Sequence, residues 1–322
     1  DGALWRINVE TGRRRAVPFT TTATHNLTGL LREPQPLNRA DTVTSKMIRW
    51  PTVSPNGKLV LFEAFGRLWT QKINGEKAKP ITDGSVRPIS PSWSPDGTRI
   101  LYATWHDENQ GDVRIREVRS GRETRISQVR SQYLAPTWSP DGRQVAWLRG
   151  SGAPRRGHDP ANELWMRLEI AAANGQGEVH DVMSRGGAWG RTDRMAFSAN
   201  AKRLLLVESE GSDTPNSASK TILKSIDLNG QDARIIARWT RATEVAISPS
   251  GTRVAWVEEH RVHSAGIPPL GNITLELGPD TEPVPVTHHG EMSGDWLAWS
   301  GRGEETLSWA LGPELNFDDK VI

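Results

Sequence analysis

Apolar residues along this chain come in short runs, and each run is broken by Gly, Pro, Asn, Asp or Ser. Runs of this length bounded by turn residues predict strands, and helix signals are weak throughout. The clearest unit is Ser92-Trp93-Ser94-Pro95-Asp96-Gly97 followed by Thr98-Arg99-Ile100-Leu101-Tyr102-Ala103. It predicts strand, tight turn, strand. Pro95 fixes φ at the turn entrance, Asp96 bonds locally to backbone, and Gly97 tolerates positive φ.

The unit recurs as Val53-Ser54-Pro55-Asn56-Gly57, Trp138-Ser139-Pro140-Asp141-Gly142 and Ile247-Ser248-Pro249-Ser250-Gly251. Degraded copies stand at Phe197-Ser198-Ala199-Asn200-Ala201 and Trp299-Ser300-Gly301-Arg302-Gly303. The equivalent serines are 40 to 59 residues apart, and the first four intervals each hold a second strand pair, turning at Asn74-Gly75, Ser120-Gly121, Asn174-Gly175 and Asn229-Gly230. Four strands per repeat at this period predict an all-β propeller of six blades, each of four antiparallel strands. The blades fall at 49–84, 85–127, 128–183, 184–239, 240–287 and 288–322, within one domain spanning 1–322.

Leu4–Val9 and Arg15–Phe19 read as a third and fourth strand without a first and second. Residues 1–20 are therefore expected to complete the last blade and remove its open edge. Gly312-Pro313-Glu314-Leu315 aligns with Gly66-Arg67-Leu68-Trp69 and competes for the third place. Residues 21–48, with Pro34 and Pro36, read as a loop.

This topology puts the Ser-Pro-Asp-Gly turns on one face and the longer loops on the other, where function tends to sit. His25, His106, His158, His260, His288 and His289 are expected on the loop face, with His180 and His263 within strands. His106 and Asp107 share a loop with Glu108 and could hold a divalent cation, although a solvated loop explains them as well. Arg155, Arg156 and His158 could take an anionic ligand or an acidic partner. His260 and His263 are spaced i, i+3 on an extended chain, and His288 and His289 are adjacent on one, so neither pair predicts a shared metal. Asp96 and Asp141 are explained by turn geometry. Trp69, Trp93, Trp138, Trp147, Trp256 and Trp299 are expected to pack between blades. The residues entering the inner strands are Arg49, Arg87, Tyr133, Arg194, Glu244 and Asp295. They mark the channel mouth, where converging arginines would attract carboxylates or phosphates.

Composition narrows the chemistry. Cysteine is absent, which removes disulfides, thiolate nucleophiles and Cys-ligated metals. A net charge of +2 gives no global field for nucleic acid. No apolar run approaches a membrane span of about 20 residues. Of the 40 basic residues 31 are Arg, suited to bidentate carboxylate contacts or reflecting a compositional bias. No Gly-x-Ser-x-Gly elbow or phosphate loop occurs. No signal peptide is visible and residue 1 is Asp, so the segment reads as processed or excised from a longer chain.

With its Trp-Ser-Pro-Asp-Gly repeat the chain resembles the TolB-like, WD-related propellers. Further pieces are Leu4-Trp5-Arg6-Ile7 with Val17-Pro18-Phe19-Thr20, Ala103-Thr104-Trp105-His106-Asp107, Leu148-Arg149-Gly150-Ser151-Gly152, and Trp309-Ala310-Leu311-Gly312-Pro313-Glu314-Leu315. Together they resemble the propeller that precedes the metal-dependent hydrolase domain of large bacterial amidohydrolase-related proteins, which act on C–N bonds. That hydrolase domain starts its metal site with a His-x-His pair, which does not occur here. The resemblance therefore implies a non-catalytic binding or gating module without cofactor. Its partner would be a hydrolase domain or another protein, with an acidic peptide or small anion as ligand, in the periplasm or secreted. The alternatives are a self-contained propeller lyase or lactonase using a metal near His106 and Asp107, and a TolB-like scaffold that docks other proteins.

Overall fold

The computed structural model describes residues 4–25, 43–73, 75, 77–150, 165–186, 194–210, 220–268, 271, 273–278, 283–289, 294–300 and 306–318. All regular structure among them is β. By internal contacts the chain divides into Asp1–Val43 and Thr44–Ile322. In the first unit, β1 (Leu4–Ile7) and β2 (Arg14–Val17) pair as a two-stranded antiparallel sheet. Asn8 closes their turn by accepting the Thr11 N–H and hydroxyl, both at 2.8 Å.

The second unit is a ring of six sheets. The first blade holds β3 (Arg49–Val53), β4 (Leu59–Ala64), β5 (Arg67–Lys72) and β6 (Lys79–Pro80). The second holds β7 (Arg87–Trp93), β8 (Arg99–Trp105), β9 (Val113–Glu117) and β10 (Glu123–Arg125). The third holds β11 (Tyr133–Trp138), β12 (Gln144–Arg149), β13 (Trp165–Ala172) and β14 (His180–Gly186). The fourth holds β15 (Arg194–Phe197), β16 (Arg203–Glu210), β17 (Lys220–Asp227) and β18 (Arg234–Trp239). The fifth holds β19 (Glu244–Ile247), β20 (Arg253–Glu258) and β21 (Arg261–Gly266). Its chain then leaves as β22 (Leu275–Leu277) to lie parallel on the outer edge of β18, and returns as β23 (Val286–His289). That excursion covers the open edge of the fourth blade. The sixth blade holds β24 (Asp295–Ser300), β25 (Thr306–Leu311) and β26 (Glu314–Asp318). The first strands of successive blades adjoin around the ring, and β24 adjoins β3.

The third place in the sixth sheet, first assigned to the N-terminal strands, is held by β26. Gly312 at φ 63° lets the chain turn directly back onto β25. Closing this local hairpin loses far less chain entropy than pairing residues from opposite ends of the sequence. The ring is joined instead by the Ile48 N–H donating to the Gly312 carbonyl at 3.1 Å, and by Trp50 against Trp296 at 5.1 Å between ring centroids.

The repeated motif is explained by one serine and one carboxylate or amide. Ser94 and Ser139 donate to Asp96 and Asp141 at 2.6 Å and accept the N–H of Arg99 and Gln144 at 2.9 Å. Asn56 and Asn200 take the aspartate's place on Ser54 and Ser198. The Ser139 hydroxyl and the Arg143 N–H hold the Asp141 carboxyl below the usual carboxylate range. A depressed folded-state pKa contributes stability above the unfolded value and loses it as pH falls through the folded one. Asp141→Asn should therefore keep the fold and flatten the acid limb of a stability–pH curve. Asp141→Ala should cost about 1 kcal/mol at neutral pH, read from urea midpoints.

The core is a series of layers between blades rather than one centre. Leu101, Val113, Tyr133, Trp138 and Trp147 fill the space between the second and third blades, and equivalent clusters fill the next three spaces. The expected tryptophan packing takes a specific form. Trp93 Nε1 donates to the Thr52 carbonyl (3.2 Å), Trp138 to Ser92 (3.4 Å) and Trp299 to Ala246 (3.3 Å), each reaching the inner strand of the preceding blade. Arg99 and Arg253 of those preceding blades lie over the Trp138 and Trp299 rings, 4.7 and 5.5 Å from the centroids.

Candidate binding site at the channel mouth

The six residues expected to enter the inner strands, Arg49, Arg87, Tyr133, Arg194, Glu244 and Asp295, are the first residues of β3, β7, β11, β15, β19 and β24. The inner strands of the first three blades share a local irregularity. The ladder skips between Arg49 and Thr52, Ile89 and Ser92, and Leu134 and Thr137, with Trp50, Ser90 and Ala135 at φ near 50°. Each of these residues precedes a proline, Pro51, Pro91 or Pro136. Proline has no N–H to offer the ladder, so a bulge there leaves no donor orphaned.

The sixth blade bulges in the same way, with Trp296 at φ 68°, but Leu297 stands where the others have proline. The Trp296 and Leu297 N–H groups are taken by the Glu244 carboxylate of the fifth blade, both at 3.0 Å. Glu244 also accepts a charge-assisted bond from Arg194 of the fourth blade. One buried carboxylate thus ties three blades together.

That network decides which predicted residues are available. Arg194 is neutralised by Glu244 and does not join the other arginines. Tyr133 turns into the core, its hydroxyl donating to the Val129 carbonyl and its ring edge-on to Trp147 at 6.2 Å. Burial pushes its phenol up to about 12. Asp295 is exposed on its own strand.

Arg49 and Arg87 remain, and the structure brings them together in a cleft of about 340 Å³ between the first two blades. Met47, Glu63, Ala64, Phe65 and Gly66 complete its lining. Glu63 is buried; it accepts the Gly66 N–H at 2.8 Å and lies 3.8 Å from Arg49. Arg87 is exposed and makes no ion pair with any described residue.

Phe65 and Gly66 form the turn between β4 and β5 with φ of 54° and 72°. Two positive φ values in a hairpin turn favour Asn-Gly. A phenylalanine there costs about 1 kcal/mol or more, and the residue is 58% exposed. Phe65, Met47 and Glu63 escaped the sequence reading, although Phe-Gly between two strand-like runs was the visible signal.

On the loop face, His106 and Asp107 do not converge. The Glu108 and Asn109 N–H groups point at His106 Nδ1 (3.2 and 3.3 Å), while Asp107 accepts the Trp105 indole N–H at 2.9 Å. Arg155, Arg156 and His158 lie outside the described residues. His288 and His289, expected in a loop, lie on β23, because the fifth sheet takes its fourth strand from this segment. Burial, more than any neighbour, holds the His263 imidazole below its ordinary value.

No family model matches the chain, and no curated protein matches it. Solved structures do. The putative TolB from Agrobacterium tumefaciens superposes with a TM-score of 0.50 at 16% identity, covering 69% of this chain and 78% of that one. TolB from Acinetobacter baumannii gives 0.53 at 13% identity, covering 84% of this chain and 60% of that one. The fold is that of a TolB-like β-propeller. An oligogalacturonate lyase in complex with manganese is similar in the same way, with a TM-score of 0.51 at 10% identity over 81% of this chain and 72% of that one. At these identities the likeness establishes the TolB-like fold, and function has to be argued from the site.

Proposed function

We propose that this TolB-like propeller is a non-catalytic interaction scaffold that binds an acidic peptide or small anionic ligand at its channel mouth. Arg87 carries the reading, as an exposed guanidinium beside Arg49 that has no ion-pair partner among the described residues. A cleft of this size, with two arginines against a wall of Met47, Ala64 and Phe65, suits a small ligand or a single side chain, and guanidinium forks match carboxylates. A periplasmic or secreted setting, and a place beside an amidohydrolase-like hydrolase domain, belong to the same proposal and rest on sequence resemblance alone. The propeller-enzyme alternative is less well supported, because His106 and Asp107 are engaged within their own loop.

The test is calorimetric titration with tetraglutamate against tetraglutamine. Tetraglutamate should bind, more weakly as salt rises. Replacing both Arg49 and Arg87 by Ala should reduce affinity by about tenfold or more. Equal binding by the double variant would overturn the assignment of the mouth.

A further inference from the structure

The fifth blade carries a second arrangement that the channel-mouth reading does not use. His263 on β21 stands directly opposite His288 on β23, the outermost strand of its sheet. Their Nδ1 atoms are 2.8 Å apart and the rings nearly perpendicular, at 81°. His263 is stacked on the buried Trp256, with 5.4 Å between centroids and 22° between planes, so packing fixes its ring. His289 points the other way, buried with its Nε2 2.7 Å from the Ser264 hydroxyl. The strand period therefore leaves His288 on the open face.

We propose that His263 and His288 form a two-imidazole chelate for a divalent transition metal ion, Cu(II) or Ni(II), on the edge of the fifth blade. Imidazole nitrogens suit these ions, and both accept square-planar or octahedral surroundings. With metal–nitrogen bonds of about 2.0 Å, two nitrogens in neighbouring positions of a square plane stand about 2.8 Å apart. In a tetrahedron the same bonds put them about 3.3 Å apart. The observed 2.8 Å fits the square arrangement and would need the rings to separate for a tetrahedral ion. Calcium and magnesium, which take oxygen ligands, are excluded by the donors. Among the described residues no group of three or more His, Asp or Glu gathers there, so the pair acts as a two-nitrogen chelate. The ion replaces the proton shared between the two nitrogens and ties the edge strand to its neighbour.

The experiment is titration of the whole chain with CuCl₂ and with NiCl₂ in a non-chelating buffer, followed by calorimetry and by thermal melting. One equivalent should bind, and Ni(II) should raise the melting midpoint, because an ion held only by the folded state stabilises it. His288→Ala, at an exposed position, should fold normally, lower Cu(II) affinity at least about tenfold and abolish the shift in midpoint. The Cu(II) paramagnetic resonance spectrum should show two equatorial imidazole nitrogens in the native chain and fewer in this variant. His106→Ala and His260→Ala should leave all three readouts unchanged. Native affinity and midpoint shift in His288→Ala, no saturable binding by the native chain, or loss of binding in His260→Ala instead would each overturn the site.

Discussion

Glu244→Ala should destabilise the propeller by about 3 kcal/mol or more, read from urea midpoints with the slope unchanged. The substitution strands three donors together. Arg194 loses its carboxylate, and the N–H groups of Trp296 and the fully buried Leu297 lose their acceptor. Unpaired buried groups carry their whole desolvation cost, which is larger than the net value of the bonds themselves. The bulge chemistry supplies an internal control. In the first three blades the position of Leu297 is a proline with no N–H to satisfy. In a Leu297→Pro background, Glu244→Ala should therefore cost measurably less than in the native chain. Equal costs in the two backgrounds would mean that the Leu297 N–H contributes nothing.

Trp138→Ala should cost about 3–5 kcal/mol, the usual range for emptying a buried indole site. Trp138 lies between the second and third blades, beneath Arg99, with its Nε1 on the Ser92 carbonyl. Arg99 also donates to the Gly142 carbonyl at 2.9 Å, so losing the ring removes one of its two cross-blade contacts. Trp138→Phe keeps most of the apolar area and removes only the N–H, and should cost about 1 kcal/mol. At the same place in the preceding repeats, Val53 and Trp93 differ in this respect, and only the tryptophan reaches back to its neighbour. A Trp93→Phe loss close to that of Trp138→Phe would show that the indole bond acts as a repeated device.

The blade count was legible because its signal is local. In each of the first three repeats, Ser, Asp or Asn, and Gly close a turn on themselves within five residues, as Ser139 and Asp141 do. Features built across blades left no such trace. The Glu244 carboxylate meets Leu297 across 53 residues, and nothing in either local sequence announces the other. The short β22 segment pairs with a different blade from the strands on either side of it. Along their own strands His263 was weighed with His260 and His288 with His289, and only the register between strands puts His263 opposite His288. At the mouth, the first residue of every inner strand followed from the repeat. Which of those residues remained available depended on partners contributed by neighbouring blades.

Hydrogen–deuterium exchange with and without saturating tetraglutamate tests the channel-mouth proposal most directly. Binding at the cleft predicts slowed exchange around Met47–Arg49, the Phe65-Gly66 turn and Arg87, with the Ser-Pro-Asp-Gly turns unchanged. Protection confined to those turns on the opposite face, with the cleft unaffected, would contradict it.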